Sequence, residues 1–244
     1  PLLKRWITPA EAKIERATVY TFHSTISKQW CDRRLFIAGD AAHQTPPFMG
    51  QGMCAGIRDV MNISWKLKEI LRNGASETLL ESYQIERYHH VKKYIDLTIQ
   101  MGQMINQTTS AIVAGNATDP KKGPQTLSQF KPSLGSGLRI GASPLIGSLF
   151  PQPRINSGNL LDEYLGSNFA LIVSNAFKQK LTETDFKQFR EKDIKIVTEQ
   201  TDQLELWFEK KGVGAVLLRP DRYILGIANK QSDLEGLLAF FIQL

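Results

Sequence analysis

The chain has 244 residues, 42% of them hydrophobic and 22% charged, with a formal net charge of +6. That composition suits a domain or two with a sizeable core and excludes overall disorder, while apolar runs of only a few residues exclude a transmembrane helix. Cys31 and Cys54 lie far apart, which excludes a disulfide-built fold and makes a reducing cytoplasm the default compartment.

Residues 16–27 (RATVYTFHSTIS) are rich in β-branched and aromatic side chains and roughly alternate, so they read as a strand. Residues 34–38 (RLFIA) form a short apolar run ended by Gly39, which reads as a buried strand feeding a loop. The loop, 40–52, contains Pro46, Pro47, Gly50, Gln51 and Gly52. From 53 to 71, Ile57, Val60, Ile63, Ser64, Leu67, Ile70 and Leu71 recur at helical spacing, and Asn73-Gly74 is a stop signal. A second helix starts from an N-cap at Ser76, with Leu80, Tyr83, Val91, Tyr94, Thr98, Met101 and Ile105 along one stripe. Residues 115–158 are rich in Gly, Pro, Ser and Lys and only weakly periodic, which predicts a long connector laid over the surface. The pattern then alternates again. Strands are predicted at 169–174 and 194–199, helices at 185–192 and 204–211. A hairpin follows around Pro220-Asp221, and a last helix spans 234–243. This βαβαββα order is a compact α/β unit in its own right.

The positive charge is uneven. Residues 1–150 carry 18 Lys/Arg and 11 Asp/Glu, giving +7, and residues 151–244 carry 12 and 13, giving −1. The excess is scattered as Arg33-Arg34, Lys92-Lys93 and Lys121-Lys122, with no aromatic-interleaved basic stripe, so neither nucleic acid nor a membrane is an expected partner. The adjacent His89-His90 face different ways on a helix, and no metal site is expected there.

The segment 39–67 (GDAAHQTPPFMGQGMCAGIRDVMNISWKL) carries the chemistry. A strand ending at Gly39 lets a ligand or another backbone come close. Asp40, at that strand's carboxyl end, is placed to accept from sugar-like hydroxyls. Pro46-Pro47 stiffens the loop. Gly50-Gln51-Gly52 opens a helix whose free amides can hold an anion or a polarised carbonyl. By physics alone, a glycine-rich strand–loop–helix turn without a ligand is as good a reading. His43 is expected to buttress the loop, and Arg58 and Asp59 to form a local ion pair or loop anchor.

Gly39-Asp40-Ala41-Ala42-His43, followed by Pro46-Pro47 and Gly50-Gln51-Gly52, resembles the second flavin-contact motif of the FAD-dependent aromatic hydroxylases related to p-hydroxybenzoate hydroxylase. Gly56-Ile57-Arg58-Asp59, Asn62, Trp65-Lys66-Leu67 and Tyr83 with Glu86-Arg87 fit the same family, and the flavour is that of its 3-(3-hydroxyphenyl)propionate hydroxylase-like members. The resemblance covers roughly residues 16 to 105. It implies a cofactor-binding set of Gly39, Asp40, Pro46, Gly50, Gln51, Gly52, Met53 and Cys54, with Pro47 as the catalytic position. Asp40 would hold the ribityl or ribose part of FAD, Pro46 and Pro47 would line the flavin and the substrate ring, and the amides of Met53 and Cys54 would point at the N1–C2=O edge. Two-electron reduction charges that edge, and a helix N-terminus stabilises it without reorganising. The implied reaction takes electrons from NAD(P)H, adds O2 to the reduced flavin as a hydroperoxide and transfers one oxygen to a small phenolic substrate.

Residues 160–244, with Arg219-Pro220-Asp221 before a strand, resemble the thioredoxin-like tail of phenol hydroxylase-type members. No cysteine follows Cys54, so the dithiol chemistry of thioredoxins is absent; packing over the flavin domain or pairing subunits as a homodimer remains. The expected organisation is α/β. Residues 1–114 form the C-terminal part of a FAD- and substrate-binding domain, 115–158 an extended connector, and 159–244 a thioredoxin-like domain. The Gly-x-Gly-x-x-Gly turn with which this family grips ADP is absent, and the chain begins at Pro1 inside a structured-looking stretch, so it is expected to be a piece of a longer protein that by itself does not hydroxylate. Two other readings stay open at this point: a non-catalytic interaction module, and a hydroxylase of polyketide-type aromatics.

Overall fold

The computed structural model describes residues 6–113, 130–155, 158–198 and 201–243. Its first half is built on two long helices. Three two-residue strands come first, β1 (Thr25–Ile26), β2 (Cys31–Asp32) and β3 (Leu35–Phe36), followed by β4 (His43–Gln44). β1 pairs with β4, and β2 with β3, all antiparallel. α1 (Gly52–Asn73) ends on Gly74, whose φ of 74° is the left-handed cap that glycine adopts without strain. Ser76 then caps a 3-10 turn (Glu77–Leu80) that runs into α2 (Glu81–Val113).

The predicted strand over 16–27 is realised only at Thr25–Ile26. Residues 16–24 are exposed, and no described strand lies beside them. Propensity makes a strand only where a neighbour takes its backbone bonds. The predicted buried strand at 34–38 is instead one arm of a tight hairpin turning at Arg33 (φ 52°), with Leu35 mostly exposed.

The second half is an α/β unit. α3 (Leu161–Leu165) leads into β5 (Ala170–Val173), α4 (Asn175–Lys178), α5 (Glu183–Glu191), β6 (Lys195–Val197), α6 (Asp202–Lys211), β7 (Ala215–Leu218), β8 (Ile224–Ala228) and α7 (Gln231–Gln243). The sheet order is β6-β5-β7-β8; β5 and β6 are parallel and the other pairs antiparallel. β5 and β7 are buried throughout, as expected of strands covered on both faces. Leu171, Val173 and Leu217 pack on one face with Phe189, Leu234 and Leu237, together with Trp65 of α1. Ile172, Val216 and Leu218 pack on the other with Leu161, Leu204 and Phe208.

The expected connector, 115–158, is described only in part; residues 114–129, 156 and 157 lie outside the described residues. Over 130–155 it is extended but not superficial. Leu134, Ile146 and Phe150 are buried, and Ile140, Gly147 and Phe150 donate backbone bonds to Leu225, Ile224 and Arg222. The segment closes the free edge of β8, which would otherwise stay unpaired.

α1 departs most from expectation. Of its predicted apolar face, Ile57, Val60 and Leu71 are exposed, as are Met53 and Met61, whereas Asp59, Asn62, Lys66 and Glu69 are buried with Ile63 and Trp65. The helix turns its polar side inward because Asp59 and Lys66 meet opposite charges there, Arg87 and Glu86, while Glu69 accepts from the Asn73 side-chain amide.

Candidate functional site

The residues singled out for chemistry all lie between the end of β3 and the first turn of α1. Gly39 (φ 58°) opens a 3-10 turn, Gly39–Ala41. Its backbone abuts that of Gly56, where a Cβ would stand 3.2 Å from the Gly39 Cα. Two residues without side chains thus fasten the start of the loop to α1. Asp40 sits exposed on the turn, Pro46 is buried, and exposed Pro47 begins a second 3-10 turn, Pro47–Met49. Gly50 (φ 61°) closes that turn by donating to the Pro47 carbonyl at 2.9 Å.

Gln51 is the N-cap of α1, and its side chain does not cap it; its Oε1 accepts from Arg58 Nη1 at 3.3 Å instead. The first bond of the ladder runs from the Ala55 amide to the Gln51 carbonyl, 2.8 Å, so the amides of Gly52, Met53 and Cys54 precede it. The first turn carries no acidic residue, which leaves the positive helix end uncompensated by its own side chains. Such an end can hold an anion or an electron-rich ring edge.

Asp59 ties this loop down. It is fully buried; it accepts from the Gly39 amide at 3.0 Å and from Arg87 Nε at 2.7 Å, and lies 2.7 Å from His43 Nε2. Burial alone would raise its pKa, but His43, Arg87 and the Gly39 amide hold the carboxyl below its ordinary value. Arg87 Nη2 also reaches the Ala55 carbonyl at 3.3 Å. Further along the loop, the Thr45 and Thr98 hydroxyls meet at 3.1 Å. The Phe48 ring lies against Gly102, where a Cβ would approach Phe48 Cε2 to 2.8 Å. His43 and Asp59 are loop anchors.

A second buried cluster joins the two halves. Glu86 accepts from Arg219 Nη1 (2.7 Å) and Nη2 (2.9 Å), Asn62 Nδ2 (2.8 Å), Lys66 Nζ (2.9 Å) and the Leu138 amide (2.9 Å). Arg219 also donates to Asp221, from Nε at 2.9 Å and Nη2 at 2.6 Å, and Asn62 Nδ2 reaches Asp221 at 3.2 Å. Lys66 and Arg219 balance Glu86 and Asp221. Burial works against the Glu86 carboxylate, yet the charges of Arg219 and Lys66 hold it well below the usual range; burial pushes the Lys66 ammonium down to about 8. Beside the cluster, His90 Nε2 lies 3.3 Å from the Tyr223 hydroxyl, and burial drives the imidazole down to about 2.

From the sequence alone, Asn62, Lys66, Glu86 and the Arg219-Pro220-Asp221 run carry no individual role. The available signal was spacing: Asp59, Asn62 and Lys66 fall on one helical face, an unusual place for three polar groups unless that face is buried and paired.

Residues 5–98 match the family described as FAD binding domain, and residues 182–241 match the one described as HcaD C-terminal domain. A protein of Rhodococcus jostii (strain RHA1), described as a probable NADH-specific resorcinol 4-hydroxylase, is 31% identical over 97% of this chain and 48% of its own length. A 3-(3-hydroxy-phenyl)propionate/3-hydroxycinnamic acid hydroxylase of Mycobacterium sp. (strain JLS) is 31% identical over 96% of this chain and 48% of its own. The chain thus spans about half the length of these relatives. Among solved structures, aklavinone-11 hydroxylase with FAD and aklavinone aligns with a TM-score of 0.65 at 18% identity, over 89% of this chain and 44% of that one. The rebeccamycin biosynthetic enzyme RebC with reduced flavin aligns at 0.63 and 20%, over 88% and 46%. These two likenesses bear on the fold.

Proposed function

We propose, from the match of residues 5–98 to the FAD binding domain family, that the chain is part of a FAD-dependent hydroxylase that uses NAD(P)H and O2 on a small phenolic substrate such as 3-(3-hydroxyphenyl)propionate. The observation that carries the reading is the start of α1: uncapped by a side chain, free of acid, preceded by a glycine turn and held in place by buried Asp59. The relatives' names support the aromatic hydroxylase class and the nicotinamide reductant.

The residues present fit the cofactor. The amides of Met53 and Cys54 would hold the electron-rich edge of the ring, and a Cβ at Gly50 would meet nothing within 4 Å, so the approach is open. Asp40, exposed beside the turn, would take ribityl or ribose hydroxyls; Gly39, Gln51 and Gly52 shape the cradle, and Pro46 and Pro47 would line the ring, Pro47 on the open side. FAD, when bound, would supply the redox chemistry between NAD(P)H and O2. This chain's residues bind and orient it.

Domain limits at 1–114, 115–158 and 159–244 are part of the proposal, with a thioredoxin-like final unit. The order β6-β5-β7-β8, with one parallel pair, supports that likeness, and the lack of cysteine beyond Cys54 leaves the unit a packing role. The chain by itself would bind FAD weakly or not at all, since no Gly-x-Gly-x-x-Gly occurs in it.

Flavin absorbance of the purified protein that carries this chain, with and without Asp40→Ala, tests the cofactor assignment. Full occupancy in both rules out the role given to that carboxylate, and no flavin in either rules out the reading. Substrate-dependent NADH consumption across a panel of phenols tests the chemistry.

A further inference from the structure

We infer that Arg219, in the turn between β7 and β8, is a positioning residue for the 39–54 loop: acting through Glu86, it fixes how α1 lies on α2 and so aims the amides of Met53 and Cys54. The inference rests on the flavin reading of that loop.

Arg219 belongs to the C-terminal unit, yet its guanidinium is fully buried against the helices of the other half. Its fork grips Glu86 at 2.7 and 2.9 Å and Asp221 at 2.9 and 2.6 Å, and its Cζ lies 5.2 Å from the centre of the Trp65 ring. A bidentate arginine fixes direction as well as distance. Glu86 passes that constraint to α1 through Asn62 and Lys66, and Asn62 is held a second time by Asp221. Asn62 stands one turn beyond Asp59 on the same face of α1, and Glu86 is next to Arg87 on α2. The helix turns that Arg219 clamps are therefore those whose other side chains hold Gly39, His43 and Ala55. The loop has little slack, since the Gly39 and Gly56 backbones already touch. Without Arg219 the quartet carries excess negative charge in a buried place, and α1 must shift on α2 or admit water to relieve it.

The test is Arg219→Met in the full protein that carries this chain. Phe208→Leu, on α6 against the sheet face turned away from Trp65, serves as the control for lost stability. FAD affinity is read by titration, and amide exchange over residues 39–56 is read without FAD. Arg219→Met is expected to weaken FAD about tenfold and to speed exchange in 39–56, while Phe208→Leu does neither. In a Glu86→Gln background, Arg219→Met should add nothing further, because the two residues act as one unit. Should Arg219→Met fail to fold, Arg219→Lys, which keeps the charge without the fork, takes its place with a smaller change in the same direction.

A folded variant with wild-type affinity and wild-type exchange overturns the inference, as do equal losses in Phe208→Leu or additive losses with Glu86→Gln. A wild-type protein that does not bind FAD sinks the flavin reading instead. The positioning role is then decided by exchange alone, faster exchange upholding it and unchanged exchange overturning it.

Discussion

The two halves of this molecule bury their elements in opposite ways. In the C-terminal sheet, β5 (ALIV) and β7 (AVLL) are wholly apolar and wholly buried, and the packing is non-directional. In α1 the buried face holds Asp59, Asn62 and Lys66 while Met53, Ile57 and Val60 face outward. The sheet is held by area, which tolerates repacking. The helix pair has an apolar core of its own, Ile63 with Tyr83, Val91 and Ile95, but is held as well by buried hydrogen-bonded charges, which tolerate little change of geometry. The loop 39–54 hangs from the second kind of contact.

Removing one partner from the ionic half should be the most damaging change. Glu86→Ala leaves Lys66 and Arg219 buried with Asp221 as their one carboxylate in the quartet, and breaking a buried pair in this way costs about 3–5 kcal/mol. Urea unfolding should register that loss. Leu217→Ala in the sheet should cost a comparable or smaller amount, about 2–5 kcal/mol depending on how far the site collapses. Only Glu86→Ala should also change amide exchange at residues 39–56.

Acid should separate the halves as well. His90 stays neutral in the fold, its pKa driven down to about 2 from 6.5 by burial. Between those values the unfolded chain binds the extra proton, so stability falls as pH drops below 6.5, by about 1.4 kcal/mol per unit once the unfolded histidine is charged. Glu86 and Asp59, held below 4.5 and 3.8, add losses of the same sign only further down. His90→Phe should unfold more easily at neutral pH, since the Tyr223 hydroxyl loses its partner, yet should show a shallower decline between pH 6 and 5. An unchanged slope would mean that His90 is charged in the fold.

How much of this was legible in the sequence follows the same division. The C-terminal strands and helices could be read to within a few residues, because apolar runs and turn residues report burial directly. The turns of the loop from Gly39 to Gly52 were legible because glycine and proline act through backbone geometry that the letters carry. The inward side of α1 was not. Hydropathy assigns Ile57 and Val60 to a core, and only knowledge that Glu86 and Arg219 come from elsewhere in the chain to meet Asn62 and Lys66 reverses it. The strand expected over 16–27 formed only at Thr25–Ile26 for a related reason, since pairing is a property of two segments and the pattern shows one.

A milder test falls on the glycine contact. Gly39→Ala must hold φ near 58°, which costs an L-residue about 1–2 kcal/mol. The new methyl would have 3.6 Å to the Gly56 Cα, so the cost is conformational rather than steric. Thermal unfolding should fall by a few degrees, and the loop amides should exchange faster than those of β5.

The smallest effect isolates burial itself. Lys92 and Asp96 lie on α2, the helix that carries Glu86, and their 2.9 Å contact matches that between Lys66 and Glu86. Both side chains are about half exposed, at 53% and 50%, so water competes for each charge, and lysine preceding the acid by four residues is the weaker orientation. Asp96→Ala should cost less than about 0.5 kcal/mol by urea unfolding, and less still in added salt. With the distance and the chemistry alike, the gap between this variant and Glu86→Ala measures what enclosure contributes. Equal losses in the two would mean that the ionic half is held by its apolar contacts, and that Trp65 against Phe169 rather than Arg219 on Glu86 joins the units.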